Sequence, residues 1–142
     1  MSGDERAPLG RFLPPESPSG AGFWEATRHQ RLDLQWCVAC EQAIHFPREA
    51  CPRCLGTDLV YRPASGLGHV YAISVMPKPG HPGMAGRTPY AVALVDLDEG
   101  VRMLTNIVTD TPDEIAVGTR VVVAWEPLAD GRHLPVFAPV VS

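Results

Sequence analysis

Lysine is nearly missing from this chain of 142 residues: eleven of its twelve basic residues are arginine, and the exception is Lys78. Sixteen acidic residues bring the formal net charge to -4, which excludes a molecule-wide positive field of the kind that draws a protein onto nucleic acid or an anionic membrane. A local basic patch stays open. Long hydrophobic runs are missing too. The longest, Ala91 to Val95 and Val121 to Trp125, hold five residues each, against the roughly 20 that a bilayer-spanning helix needs. The opening stretch MSGDERAPLGRFLPPESPSG has no apolar core of about seven residues and no small-residue cleavage site, so it does not read as a secretory signal. The chain is therefore expected to be soluble and cytoplasmic, in a compartment that keeps cysteine pairs reduced. No internal repeat, phosphate loop, dinucleotide fingerprint, His-Glu zinc motif or Gly-x-Ser-x-Gly nucleophile setting is present. With neither a nucleophile nor a paired base in evidence, no catalytic residue is assigned.

What is present is turn chemistry. Fifteen prolines and thirteen glycines, with 45% apolar and 20% charged residues, describe a globular protein of many short elements. The expected fold class is mostly β: a short N-terminal helix, a zinc ribbon and a five-stranded OB-fold barrel. Residues 1–20, rich in Pro, Ser and Gly, read as a flexible arm. Residues 21–64 read as the helix and ribbon, and 65–142 as the barrel.

The helix rests on GFWEATRHQ, where Phe23, Trp24, Ala26 and Thr27 fall at helical spacing. In RLDLQWC, Leu32, Leu34 and Trp36 alternate with Asp33, Gln35 and Cys37, the period of a strand with one buried face. AIHF returns as its hairpin partner and DLVYRP supplies a third strand. From Gly66 five longer runs follow, GLGHVYAISVM, PYAVALVDLD, VRMLTNIV, TRVVVAWEPL and HLPVFAPVV. TPDEI, with Thr111 as N-cap and Pro112 at the first helical position, predicts one helical turn after the third. That order fits an OB barrel, although a small sandwich would write a similar string.

The four cysteines of CVACEQAIHFPREACPRC form two Cys-x-x-Cys turns. Each such turn places two sulfurs on one side of a tetrahedral site, so Cys37, Cys40, Cys51 and Cys54 close a shell around one zinc, or around iron. Free or redox-active thiols are the alternative. A shell of four thiolates leaves no position for water, which makes the metal structural: it holds a module of about forty residues that cannot bury enough apolar surface unaided. His45, between the pairs, reads as a surface histidine. Asp96, Asp98 and Glu99 read as a solvated hairpin tip rather than a cation site.

Lys78, His81 and Arg87 occupy the long proline-braced loop between the first two barrel strands, and either suit a phosphorylated ligand or an acidic partner surface or are scattered surface charges. Phe23, Trp24 and Trp36 are candidates for a partner interface, or for packing of the helix on the ribbon. A single-stranded nucleic-acid module is the alternative function. It needs aromatics and a basic groove on the second and third barrel strands, which offer only Tyr90 and Arg102.

Taken in order, FWEA, RLDLQWC-x-x-C, HFP, CPRC, DLVY, G-x-G-x-VY, PYAVALVDLDEG, TN-x-V and LPVF-x-P resemble the acyl-CoA-associated zinc-ribbon and OB-fold family, long known as a domain of unknown function. The resemblance runs from Phe23 to Pro139. It implies a rubredoxin-like ribbon with metal on the four cysteines, and a non-catalytic subunit of a thiolase-fold enzyme or of a hot-dog-fold enoyl-CoA hydratase. In some members the partner is a lipid-transfer-protein-like aldolase that performs the retro-aldol step of steroid side-chain degradation. The implied assembly is a hetero-oligomer that accommodates an acyl-CoA and involves neither nucleic acid nor membrane. Lys78, Pro79, His81 and Pro82 match the family's basic-proline-x-histidine-proline pattern, and Met84 stands where an aromatic is common. Glu41 and Leu55 stand where glycine commonly follows each second cysteine, a departure expected to weaken metal retention.

Overall fold

The computed structural model describes residues 11–80 and 82–140. A 3-10 turn, Pro18–Gly20, is capped by Ser17, whose Oγ accepts from the Gly20 N–H at 3.2 Å. Helix α1, Ala21–Thr27, follows and buries Phe23, Trp24, Ala26 and Thr27, the stripe its spacing predicts. Among the described residues no helix is long and apolar enough to cross a membrane.

Strands β1 (Asp33–Cys37), β2 (Gln42–Ile44) and β3 (Leu59–Pro63) form an antiparallel sheet in the order β2-β1-β3. Being central, β1 departs from the one-face pattern its alternation predicts. Leu34 enters the main core, while Gln35 is also buried because its amide pairs in both directions with the Arg48 backbone, at 2.8 Å each way. A polar residue is thus used as a brace for the segment between the two knuckles.

Strands β4 (Leu67–Met76), β5 (Tyr90–Leu97), β6 (Arg102–Ile107), β7 (Arg120–Pro127) and β8 (His133–Pro139) close into a barrel in the order β4-β5-β6-β8-β7. The Pro112–Glu114 turn sits between β6 and β7 as predicted, although Thr111 makes no side-chain cap bond. Alternation is clean on β5, where Ala91, Ala93, Val95 and Leu97 point inward, toward a core that includes Val70, Val121 and Phe137. Gly68 permits the closest strand approach: a Cβ there would lie 2.5 Å from the Asp96 carbonyl oxygen.

The core does not stop at the barrel. Phe23, Trp24, Leu32, Leu34 and Ala43 join Val70, Val95 and Phe137 in one cluster, so ribbon and barrel share a hydrophobic interior. Residues 11–20, read from composition as an arm, lie along the barrel. The Arg11 guanidinium donates to Glu126 and Asn106, both at 2.7 Å, Arg132 donates to the Pro14 carbonyl at 3.0 Å, and from ribbon strand β3 the Tyr61 hydroxyl donates to the Ser19 backbone carbonyl. The hairpin acids are also engaged rather than merely solvated. Asp96 pairs with Arg102, Asp98 pairs with Arg120, and Glu99 accepts from the Ser65 N–H.

Candidate functional site

The ribbon gathers the four cysteine sulfurs within 4.8 Å of one another. A tetrahedron of sulfurs ~2.3 Å from a central zinc has edges of about 3.8 Å. Two of the cross-knuckle pairs straddle that value, Cys37 to Cys54 at 3.6 Å and Cys40 to Cys51 at 3.9 Å. Both are far beyond the ~2.05 Å of a disulfide. Backbone N–H groups point at the sulfurs: Cys40 to Cys37 at 3.4 Å, and Arg53 to Cys51 and Gly56 to Cys54 at 3.3 Å. These donors favour thiolate. N–H groups at Cys54 and Arg53 pull the Cys51 thiol down to about 6, whereas the neighbouring Cys54 thiol and burial push Cys40 up to about 12. Four sulfurs this close hold their charge together only against a cation, so the donor set fits a four-coordinate structural metal.

Local backbone makes this geometry. Cys37 ends β1, paired on one side with Gln42 and on the other with Leu59. Each knuckle closes by a backbone bond of 2.8 Å, from the Glu41 N–H to the Cys37 carbonyl and from the Leu55 N–H to the Cys51 carbonyl. To make those bonds Glu41 and Leu55 adopt φ of 54° and 64°, the left-handed region. The two departures from glycine therefore fall where the backbone most favours it.

Away from the metal site the structure revises several expectations. Phe23 and Trp24 are not exposed anchors: they are 3% and 9% exposed, because α1 packs against both β1 and β8. The Trp24 ring meets Phe23 edge-on at 5.0 Å and the Arg132 guanidinium at 4.8 Å. Trp36 is half-buried, with the Arg62 guanidinium 5.4 Å from its ring. His45 is not a surface residue either. Burial among Phe23 and Phe46 lowers its imidazole to about 4, and its Nδ1 has no protein partner.

The loop cations differ in their surroundings. Lys78 is exposed, and His81 lies outside the described residues. Arg87 makes a two-pronged pair with Glu126 at 3.0 and 2.8 Å. Burial alone would raise the Glu126 carboxyl, but Arg87 and Arg11 together hold it below its ordinary value.

One surface had no counterpart in the sequence reading. A groove of about 420 Å³ runs along the seam of arm, ribbon and barrel, walled by Pro14, His45, Phe46, Leu104, Leu134 and Pro135, with Phe23 and Trp24 at its base. Phe46 and Leu104 are 66% and 72% exposed, and Phe12 and Leu13 of the adjoining arm are also exposed. The available signal was Leu104, an apolar residue at an outward position of a strand that otherwise alternates.

Comparison with known proteins follows the same two-part architecture. Residues 24–60 match the model for the ChsH2 rubredoxin-like zinc ribbon domain, and residues 61–126 that for the ChsH2 C-terminal OB-fold domain. A probable enoyl-CoA hydratase alpha subunit of Thermomonospora curvata is 43% identical over 84% of this chain. The 3-oxo-4,17-pregnadiene-20-carboxyl-CoA hydratase alpha subunit of Mycobacterium tuberculosis is 30% identical over 87%. The matches span only 37% and 42% of those relatives' lengths. Among solved structures, a chain of the Ltp2-ChsH2(DUF35) aldolase is 40% identical and superposes with a TM-score of 0.82, covering 91% of this chain and 100% of that one. The chain belongs to the ChsH2 family of proteins, in which a rubredoxin-like zinc ribbon precedes an OB-fold domain.

Proposed function

We propose that this chain is a non-catalytic accessory subunit of an acyl-CoA-processing complex, and that its partner is a thiolase-fold, lipid-transfer-protein-like aldolase that cleaves a steroid side-chain CoA thioester. The observation that carries this reading is the match over the whole length of one chain of the Ltp2-ChsH2(DUF35) aldolase. The chemistry agrees. The clustered cysteines form a saturated ligand set, and the half-buried His45 is neutral and faces aromatic rings rather than a nucleophile. Zinc on Cys37, Cys40, Cys51 and Cys54 supplies structural cross-linking, with no open position for substrate. The exposed apolar residues around the seam groove, Phe46 and Leu104 with Phe12 and Leu13, are the surface we assign to the partner subunit. Lys78 is the loop cation we assign to a CoA phosphate, because Arg87 is engaged with Glu126.

The named hydratase alpha subunits favour a second partner, a hot-dog-fold hydratase. Nucleic-acid binding is less well supported. Outward positions of β5 and β6 carry a single aromatic, Tyr90, beside Val92, Leu94, Leu104 and Asn106, and Arg102 is paired with Asp96.

The test is co-expression with each candidate partner, followed by retro-aldol and hydration assays on a steroid acyl-CoA with and without this chain. The expected result is a stable hetero-oligomer with the aldolase, and cleavage that depends on this subunit. If the chain elutes alone beside an aldolase that is already fully active, the reading fails.

A further inference from the structure

We infer that Cys54 is the site at which the ribbon is first oxidised, and that peroxide converts Cys54 and Cys37 into a disulfide that expels the metal. This rests on the metal reading above. It follows from an asymmetry within the ligand set. Cys51 and Cys37 are 0% and 1% exposed, Cys40 is partly covered, and Cys54 is exposed.

The asymmetry has a cause in the fold. Cys37 is held inside the sheet by pairing with Gln42 on one side and Leu59 on the other. Cys51 packs with Ile44 and Cys37 in a small core of its own. Cys54 ends the second knuckle, where the chain turns out through Leu55, itself 75% exposed. Cys54 is therefore the ligand residue that an oxidant meets first. The resolving sulfur is already in place, because Cys37 Sγ lies 3.6 Å from Cys54 Sγ. A closure of about 1.5 Å brings the pair to disulfide distance.

The chemistry balances with one peroxide. The Cys54 thiolate attacks a peroxide oxygen, the O–O bond breaks, and a proton completes one water, leaving a sulfenic acid. The Cys37 thiolate then attacks that sulfur, and the departing hydroxide takes a second proton to give a second water. Two thiolates lose two electrons in all, and the peroxide gains them. The metal, left with Cys40 and Cys51, dissociates. The ribbon then loses the metal that tied all four sulfurs together, and its two knuckles stay joined through the Cys37–Cys54 disulfide alone.

The full chain, loaded with one equivalent of zinc, is treated with hydrogen peroxide. Zinc release is followed with a chromogenic chelator, and each cysteine is mapped by differential alkylation and mass spectrometry. Zinc content before oxidation reports the metal site by itself. We expect Cys54 to lose alkylation several-fold faster than Cys51, a Cys37–Cys54 linked peptide to accumulate in step with zinc release, and a dithiol plus zinc to restore the starting state. Earlier reaction at another cysteine, a dominant Cys40–Cys51 or within-knuckle linkage, or zinc retained after Cys54 is oxidised would each overturn the inference. The mapping is done on the unmodified protein, so no variant has to fold.

Discussion

Replacing Leu55 by glycine should tighten the metal centre. Leu55 holds φ at 64° while its N–H closes the second knuckle onto the Cys51 carbonyl at 2.8 Å. A side chain in this left-handed region costs about 1–2 kcal/mol through the approach of Cβ to the backbone carbonyl. Glycine removes that cost but widens the unfolded ensemble, returning about 0.4–1 kcal/mol. Little packing is lost, because Leu55 is 75% exposed. The net gain is about 0.5–1 kcal/mol, or roughly a two- to fivefold lower zinc dissociation constant. The same argument applies to Glu41, also exposed, at φ 54°. Chelator competition would measure the zinc affinity of L55G, E41G and the double variant, and thermal melts should rise by a few degrees in parallel. Leu55→Ala is the decisive control, since it removes the exposed side chain and keeps the Cβ. If L55A gains as much as L55G, or if L55G binds zinc no better than the natural chain, backbone strain is not what limits the site.

The remaining predictions concern the groove. Burial lowers the His45 imidazole from 6.5 to about 4, so the unfolded chain takes up a proton near 6.5 that the folded chain refuses until about 4. That contribution is complete above 6.5 and is lost as pH falls through the window, by at most about 3 kcal/mol. His45→Leu should therefore lose less melting temperature than the natural chain between pH 7 and 5, and parallel losses would refute the assignment. Phe46→Ala and Leu104→Asp alter residues that are 66% and 72% exposed, so both should melt close to the natural chain. Each should nevertheless weaken partner binding by about tenfold or more in a titration, as loss of an interface anchor does; unchanged affinity would move the docking surface elsewhere.

Much of the architecture was legible because its signals are local. Helical spacing in FWEAT, alternation in YAVALVDL and the Pro112 turn are each set by a few neighbouring residues, and α1, β5 and the Pro112–Glu114 turn lie where those signals put them. Strand β1 shows where alternation fails. It cannot report that Gln35 is covered, because the covering group is the Arg48 backbone thirteen positions away. The aromatic candidates failed for a related reason. Phe23 and Trp24 looked like surplus apolar area on a small module, but α1 packs against both β1 and β8, and ribbon and barrel bury them together.

By itself, the sequence determined the metal ligands, since four cysteines in two short turns can close only around one another. It also placed five strands with one helical turn after the third, a series that fits an OB barrel, and the family resemblance marked Glu41 and Leu55 as departures from the common glycine. Only the tertiary structure decided that those two positions are left-handed, that Cys54 alone of the four cysteines is an exposed residue, and that Arg87 and Arg11 converge on Glu126. It also decided that arm, ribbon and barrel meet in an apolar groove. Ligand identity follows from covalent spacing along the chain. Exposure, charge pairing and the groove arise where segments far apart in sequence come together, and no local pattern records that.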